Sequence, residues 1–431
     1  MVTVIATDTI ARATQSAFGR SIPRHFVSHR TGFWFVSYAF TALMAFGALP
    51  TPLYVLYARR DQFSAIDVTV IFATYAVGVV LSLLLVGHVS DWVGRRRMLL
   101  AAVGLSLVSG AVFLTWTSFV ALLIARLASG LGVGIVTTTA TAHLAELYAQ
   151  RHPGGTSRRA EVVAAAANLG GLGLGPLLAG LLAQFAPNPL RTPYVVSVVL
   201  LIGAGMALAV TPETVRRAPG TPYRPQQLLI PATSRRTFAA AAVGAAVTFT
   251  VFGTFSALVP GFLAGTLHNA SHAVAGAVAS AVFLAGAIAQ VATSRIRIDP
   301  ARASVLAAGG LALLAIATWT AALPLFVLGA LITGAGVGAV FKSMLAAVVA
   351  LAPSGHRGEV LATFFLAAYL GLALPVVALG ALAQLLSTAV LMTAFAVTAS
   401  VALVAAASSL RQPGEQTGAT TTALRRQPRV N

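Results

Sequence analysis

The feature that most constrains this chain is the recurrence of apolar stretches of about twenty residues, each bounded by arginine, proline, glycine or a short polar segment. An α-helix rises 1.5 Å per residue, so about 20 residues cross the roughly 30 Å hydrocarbon core of a bilayer. Twelve stretches reach that length, with approximate limits 32–56, 67–89, 98–117, 119–147, 161–185, 193–211, 238–263, 272–293, 302–320, 323–350, 359–384 and 388–409. Stretches such as Leu99 to Val112 are apolar on every side, which excludes the two-residue alternation of a membrane β-barrel. Composition agrees, with 58% hydrophobic and only 9% charged residues, against roughly 25% charged in an ordinary soluble domain. The expected fold is an all-α integral membrane protein of twelve transmembrane helices arranged as two six-helix bundles.

The charges give an orientation. There are 28 Lys and Arg against 10 Asp and Glu, and 23 of the 28 fall in the two tails or in loops that follow even-numbered spans. Among them are Arg12, Arg20, Arg24 and Arg30, the run Arg95, Arg96 and Arg97, then Arg158 and Arg159, and Arg216, Arg217, Arg224, Arg235 and Arg236 in the central stretch. The opposite loops hold Arg59, Arg60 and Arg191, while Arg126 and Lys342, the only lysine, lie inside spans. Positive charge is retained on the cytoplasmic side of membranes, so both termini are expected in the cytoplasm and the +18 net charge needs no nucleic acid. The first thirty residues contain only the short apolar run Val2 to Ile5, so they read as a cytoplasmic tail rather than a signal peptide. The chain has no cysteine, which removes disulfides, thiolate metal sites and cysteine nucleophiles.

The chain also repeats itself. Gly130-Leu-Gly-Val-Gly-Ile-Val136 in span 4 recurs as Gly334-Ala-Gly-Val-Gly-Ala-Val340 in span 10, and Gly180-Leu-Leu-Ala-Gln184 closing span 5 recurs as Gly380-Ala-Leu-Ala-Gln384 closing span 11. Six spans plus six in parallel repeat is the layout of transporters whose halves rock about a midplane site. Small residues also let helices approach closely whatever the function. The expected organisation is a tail at 1–31, a first bundle at 32–211, a linker at 212–237, a second bundle at 238–410 and a tail at 411–431.

After span 2 the chain reads Gly87-His-Val-Ser-Asp91-Trp-Val-Gly94-Arg95-Arg96-Arg97. This resembles the G-x-x-x-D-x-x-G-R-[RK] signature of the major facilitator superfamily. In that reading Gly87 permits close helix approach, Asp91 accepts charge-assisted hydrogen bonds, Gly94 turns the chain, and the arginines pair with carboxylates on neighbouring helices as a cytoplasmic latch that opens when the halves rock. Glu146 is the acidic partner expected. Arg126-Leu-Ala-Ser-Gly130-Leu-Gly132 is similar to the family's R-x-x-x-G-x-G motif, which implies influence over proton or substrate binding; the alternative is an arginine near the outer third of the helix, bonded to backbone carbonyls. Gly171-Leu-Gly-Leu-Gly175-Pro176-Leu-Leu-Ala-Gly180 resembles the fifth-helix signature of its antiporters, many of them exporters. Thr211-Pro-Glu-Thr214 resembles a further family pattern after span 6.

All ten acids fall at span ends, in loops or in tails, so no midplane carboxylate offers itself as a proton carrier. Arg126, Lys342 and His143 remain as coupling candidates; Lys342 either meets an anion or a proton in the interior or snorkels to the surface. By family analogy spans 1, 4, 7 and 10 line the cavity, through Tyr38, Thr41 and Met44, through Thr137, Thr138 and Thr141, and through Phe249, Phe252 and Phe255, with Phe364 and Tyr369 added from span 11. An aromatic, hydroxyl-dotted wall suits an amphipathic compound better than a sugar. The resemblance implies a monomeric secondary transporter of a bacterial plasma membrane, a source to which the arginine- and alanine-rich usage also points. It would export a small hydrophobic or amphipathic molecule by alternating access, coupled to protons, with no cofactor and no metal. The competing readings are an importer or uniporter of an anionic metabolite, with Arg126 and Lys342 as its charge pair, and a nontransporting receptor or scaffold. No nucleophile, metal-ligand or phosphate-loop constellation supports an enzyme.

Overall fold

The computed structural model describes residues 27–87, 89–154, 156–215, 226–231, 234–296, 298–353 and 355–411. The expectations for the terminal tails at 1–26 and 412–431, and for linker arginines 216, 217 and 224, lie outside these residues.

Twelve helices among the described residues are long and apolar enough to cross a membrane, and no strand occurs among them. They are numbered here as spans: 1, His29–Ala48; 2, Ala65–Leu85; 3, Arg95–Thr115; 4, Phe119–Arg151; 5, Arg158–Phe185; 6, Thr192–Ala209; 7, Arg235–Ala257; 8, His272–Ala292; 9, Pro300–Thr320; 10, Leu323–Leu351; 11, Arg357–Leu382; and 12, Thr388–Arg411. Local chemistry sets their ends. Ser28, Ser64, Ser118, Ser271 and Asp299 each accept a backbone N–H at a helix start, and Ser64 forms a reciprocal box with Asp67; such a cap is worth about 1 kcal/mol. Two apolar stretches are broken rather than continuous. Pro50 and Pro52 interrupt span 1, which goes on as a 3-10 turn at Thr51–Leu53 and a short helix at Tyr54–Asp61. Span 7 likewise ends before a second short helix at Val259–Gly265, which has Pro260 in its first turn.

The packing carries the repeat into three dimensions. Span 1 packs on spans 4, 5 and 6, span 4 on spans 2 and 3, and span 3 on span 6. Adding six to every number gives the second set: 7 on 10, 11 and 12, 10 on 8 and 9, and 9 on 12. The two main contacts between the halves, span 5 with span 8 and span 11 with span 2, are images of each other under the same rule.

The repeated glycines occupy equivalent places in this scheme. In span 4, a Cβ on Gly130 or Gly134 would run into span 2, and one on Gly132 into Ser106 and Ala102 of span 3. In span 10, Gly334 and Gly338 press on span 8 and Gly336 on Ala307 of span 9. This row of glycines is therefore helix packing, where backbones meet because no side chain separates them. Span 5 is held on two sides: Gly171 and Gly175 lie against Met44 and Ala45 of span 1, while Gly173 and Gly180 lie against span 8. Pro176 sits within this helix, and the nearby Gly173 carbonyl accepts a hydrogen bond from the Ser280 hydroxyl of span 8. At the arginine-poor face, Gly180 meets Gly276 with a would-be Cβ 2.9 Å from its Cα, and Gly380 meets Thr69 in the symmetric position. Gln184 completes that seam by accepting the His272 backbone N–H at 2.9 Å.

Candidate functional site

Between the halves lies a cavity enclosing about 710 Å³ of space, open solvent at its mouth included. Both sets of six helices build its wall. Spans 2, 4 and 5 supply Phe72, Tyr75, Arg126, Thr137 and Asn168, and spans 7, 8, 10 and 11 supply Phe249, Phe252, Phe283, Phe341, Phe365 and Tyr369. Span 1 contributes only Gly47 and Ala48. The rings are ordered against one another: Phe252 stacks on Phe283 with centroids 4.8 Å apart, and Phe249 meets Tyr369 edge-on at 5.1 Å. Helical spacing produces the wall, because Phe249, Phe252 and Ser256, or Phe365, Tyr369 and Leu372, fall three or four residues apart on one face.

Arg126 is the one charged group in this wall, and it is 1% exposed. An arginine at the centre of a span costs about 2.5 to 3.5 kcal/mol on insertion scales, and the sequence offsets this locally. The break at Pro50 and Pro52 ends the first helical segment at Ala48, leaving its last carbonyls without helical donors, and Gly47 O accepts Arg126 Nη1 at 2.7 Å. The helix C-terminus is also the negative end of a dipole. The guanidinium stacks 4.4 Å from the Tyr75 ring centroid and 5.7 Å from that of Phe72, a cation–π arrangement worth up to about 2 kcal/mol when desolvated. No carboxylate of the described residues lies within salt-bridge distance of it.

The remaining expected cavity residues divide. Thr137 of span 4, Phe249 and Phe252 of span 7 and Tyr369 of span 11 line the cavity. Tyr38 does not: it is 38% exposed and its hydroxyl donates to Leu200 O of span 6 at 2.8 Å, because its position on span 1 faces span 6 rather than the interior. Thr41, Thr138 and Thr141 return their hydroxyls to their own helices, which satisfies them without a ligand. Met44 is buried against Gly171, Phe255 is buried beside Phe326, and Phe364 is buried behind Phe341.

Lys342 stands apart from Arg126. Its ammonium donates to the Thr293 carbonyl, to Thr293 Oγ1 at 3.3 Å and to Gln290 O at 3.5 Å, so its three protons close the C-terminal end of span 8. A cation at a helix C-terminus is a structural cap, and Lys342 is not among the residues that line the cavity with Arg126.

The arginine-rich face carries a polar network. Arg95 forms ion pairs with Asp91 and with Glu146, the latter at 2.9 Å, and donates to Ser90 Oγ at 2.6 Å. Glu213 was not anticipated as a partner, yet its carboxylate accepts the backbone N–H of Arg95 at 2.8 Å and of Arg96 at 3.1 Å, capping span 3 from the exit of span 6. Its signal was the Pro-Glu-Thr pattern already noted. Gly94, at φ +114, places Glu213 where a Cβ would stand. Thr214 donates to Glu146, Arg96 Nη1 donates to Thr211 O at 3.2 Å, and His143 Nε2 bonds Pro212 O at 3.0 Å. Among the described residues every partner lies in the first six helices or just beyond span 6, Glu146 of span 4 included, so the network ties spans 3, 4 and 6 of one half together; Asp91 keeps 60% of its side chain exposed. Gly87 also differs from expectation, since a Cβ there would meet Leu83 O of its own chain and not a neighbouring helix.

Comparison with known proteins follows the same lines. The model of the Major Facilitator Superfamily matches residues 26–268 and again 241–429. No curated protein matches the chain. Among solved structures, the human organic anion transporter MFSD10 (TETRAN) superimposes with a TM-score of 0.64 at 19% identity, covering 89% of this chain and 100% of that one; at that identity the likeness bears on the fold. A multi-pass membrane protein of twelve helices, built twice on one six-helix plan and matched by that family's model from residue 26 to 429, this chain belongs to the major facilitator superfamily, whose members are transporters of small molecules and not enzymes.

Proposed function

We propose that this protein is a secondary transporter that exports an amphipathic organic anion by alternating access. The observation that carries the reading is the buried Arg126 in an otherwise uncharged, ring-lined cavity wall, with no carboxylate partner among the described residues. A desolvated cation without a counter-ion is a standing electrostatic preference for an anionic ligand, and the ring-lined remainder suits an apolar body. MFSD10, the human structural match, is described as an organic anion transporter, which accords with this reading. It joins two sequence expectations, the amphipathic substrate and the anionic one, and dispenses with Lys342. Export and proton coupling rest on the Gly171–Gly180 resemblance, and the arginine-rich face is assigned to the cytoplasm of a bacterial plasma membrane. The seam at Gly180, Gly276 and Gly380 closes the opposite face.

The test is accumulation of lipophilic cations, neutral compounds and amphipathic anions in a host stripped of its own exporters, expressing wild type, Asp91→Asn or Arg126→Met. Selective depletion of anions by wild type alone is the expected result. Depletion of cations or neutral compounds instead removes the anion assignment, raised accumulation reverses the direction, and no change with well-expressed protein points to a scaffold. A pH gradient imposed across proteoliposomes then tests coupling, which requires that the gradient drive anion flux.

A further inference from the structure

We propose that linker residues 226–231 are a strap that holds the two halves in the conformation seen here, and that the strap lets go of one half when the arginine-poor face opens; the proposal rests on the alternating access of the reading above and not on the choice of substrate. Within a linker of mostly arginine, proline and polar residues, Gln226-Gln-Leu-Leu-Ile-Pro231 is a short apolar run. It is neither helix nor strand, and its side chains alternate. Leu228 and Ile230 are each 49% exposed, while Leu229 between them packs against the core and Pro231 is buried. Such two-residue alternation belongs to an extended chain with one face applied to a surface.

Both halves make that surface. The Gln226 backbone N–H donates to Leu84 O at the end of span 2, at 2.9 Å, and the Leu229 N–H donates to Thr363 Oγ1 near the start of span 11, at 2.9 Å. The last carbonyls of a helix lack helical donors, which leaves Leu84 O free to accept. Thr363 gives its own hydroxyl proton to Glu359 O at 2.9 Å, so its oxygen faces the strap as an acceptor. Gly358 leaves room in the first turn of span 11, since a Cβ there would stand 3.3 Å from Gln226 Nε2.

The strap breaks the symmetry of the two halves. Spans 2 and 11 form one of the main contacts between them and spans 5 and 8 the other; at the arginine-rich face the latter pair is joined by Arg158 Nη2 and Ser294 Oγ at 3.5 Å. A chain of two repeats has a single linker, so one interface carries it and its image does not. At the arginine-poor end spans 2 and 11 touch directly, through Thr69 and Gly380. At the arginine-rich end three residues of linker, which reach at most about 10 Å, run from one helix to the other. Halves that rock about a midplane site move the two ends of an interface in opposite senses. Opening the arginine-poor face therefore drives the strapped ends together, and a segment fitted to both helices keeps its bond to only one. Attached to both, it favours the closed seam at Gly180 and Gly276.

A single cysteine, Gln184→Cys, in the otherwise cysteine-free full-length protein reports opening of that seam. Its rate of labelling by a charged maleimide is measured on protein in lipid nanodiscs. Thr363→Val keeps the side-chain shape but removes the acceptor, and Gln226→Pro removes the donor at the other end. Each is expected to raise the rate about fivefold over the parent, the population shift for one hydrogen bond, while Thr363→Ser stays at the parent rate. The two substitutions together give the same fivefold and not the product, because a strap freed at either end holds nothing, whereas independent contacts add. Gly180→Leu in the same background, which forces the seam apart, gives the rate of an open face. If it speeds labelling while Thr363→Val and Gln226→Pro do not, alternating access stands and the strap falls. If the double variant shows the product, the two bonds are separate local contacts and the strap falls again. If Gly180→Leu also leaves the rate unchanged, the seam is not a gate and both readings fall. Should Gln226→Pro fail to fold, Thr363→Val against Thr363→Ser decides alone, and equal rates overturn the proposal.

Discussion

Replacing Arg126 with methionine separates stability from transport, and the structure fixes how far apart the two effects should lie. The variant loses the charged hydrogen bond to Gly47 O, worth about 1.5 to 3 kcal/mol, and the stacking on Tyr75 and Phe72, worth about 0.5 to 2 kcal/mol. Against this it removes a buried charge that costs about 2.5 to 3.5 kcal/mol within a span, and an unbranched side chain of similar length fills the space. These terms nearly cancel, so the stability of Arg126→Met is expected within about 2 kcal/mol of wild type. Binding of an anion loses its charged donor, which lowers uptake at subsaturating concentration roughly 10- to 150-fold. Thermal unfolding of the purified protein and anion flux into proteoliposomes read the two quantities from one preparation. An unfolded or grossly destabilised variant would show that Arg126 is a structural keystone, and wild-type flux from a folded variant would refute its role in the site.

Other outcomes follow from the same contacts. Glu213→Gln removes the negative cap from two N–H groups at the start of span 3 and should cost about 1 to 3 kcal/mol, seen as a lowered unfolding temperature with substrate affinity unchanged. Lys342→Met uncaps the end of span 8 and should destabilise by about 1 kcal/mol while leaving the choice between anionic and neutral substrates as it was; a change in that choice would restore Lys342 to the site. Gly180→Leu forces apart the seam with Gly276 and should shift the protein toward the state open at the arginine-poor face. The cysteine-free chain allows single introduced cysteines at Gln184 or Ser271 to report this as faster labelling by a membrane-impermeant reagent, and an unchanged rate would mean that the seam is not part of the gate.

The sequence by itself determined that this is a twelve-helix membrane protein, because span length and continuous apolarity are written locally and every backbone group within hydrocarbon must be satisfied within its own segment. The internal repeat was legible for the same reason: the glycines at 130, 132 and 134 and at 334, 336 and 338 mark where backbones touch, and touching requires them. Arg126 stood out because a charge within a span is rare and needs a cause.

Tertiary structure decided the rest, since a helix has several faces and its sequence does not say which neighbour each one meets. Tyr38 faces span 6 rather than the cavity, while Phe72, Tyr75 and Phe283 line it from spans 2 and 8, which were not expected to. Lys342 had two readings in sequence and became a cap only when span 8 ended beside it. Glu213 lies 118 residues from the helix start that it caps, and Arg126 finds the Gly47 carbonyl free only because two prolines break span 1. Hydrogen bonds between distant segments depend on where the chain returns, and that is settled by how all twelve helices pack, not by any one of them.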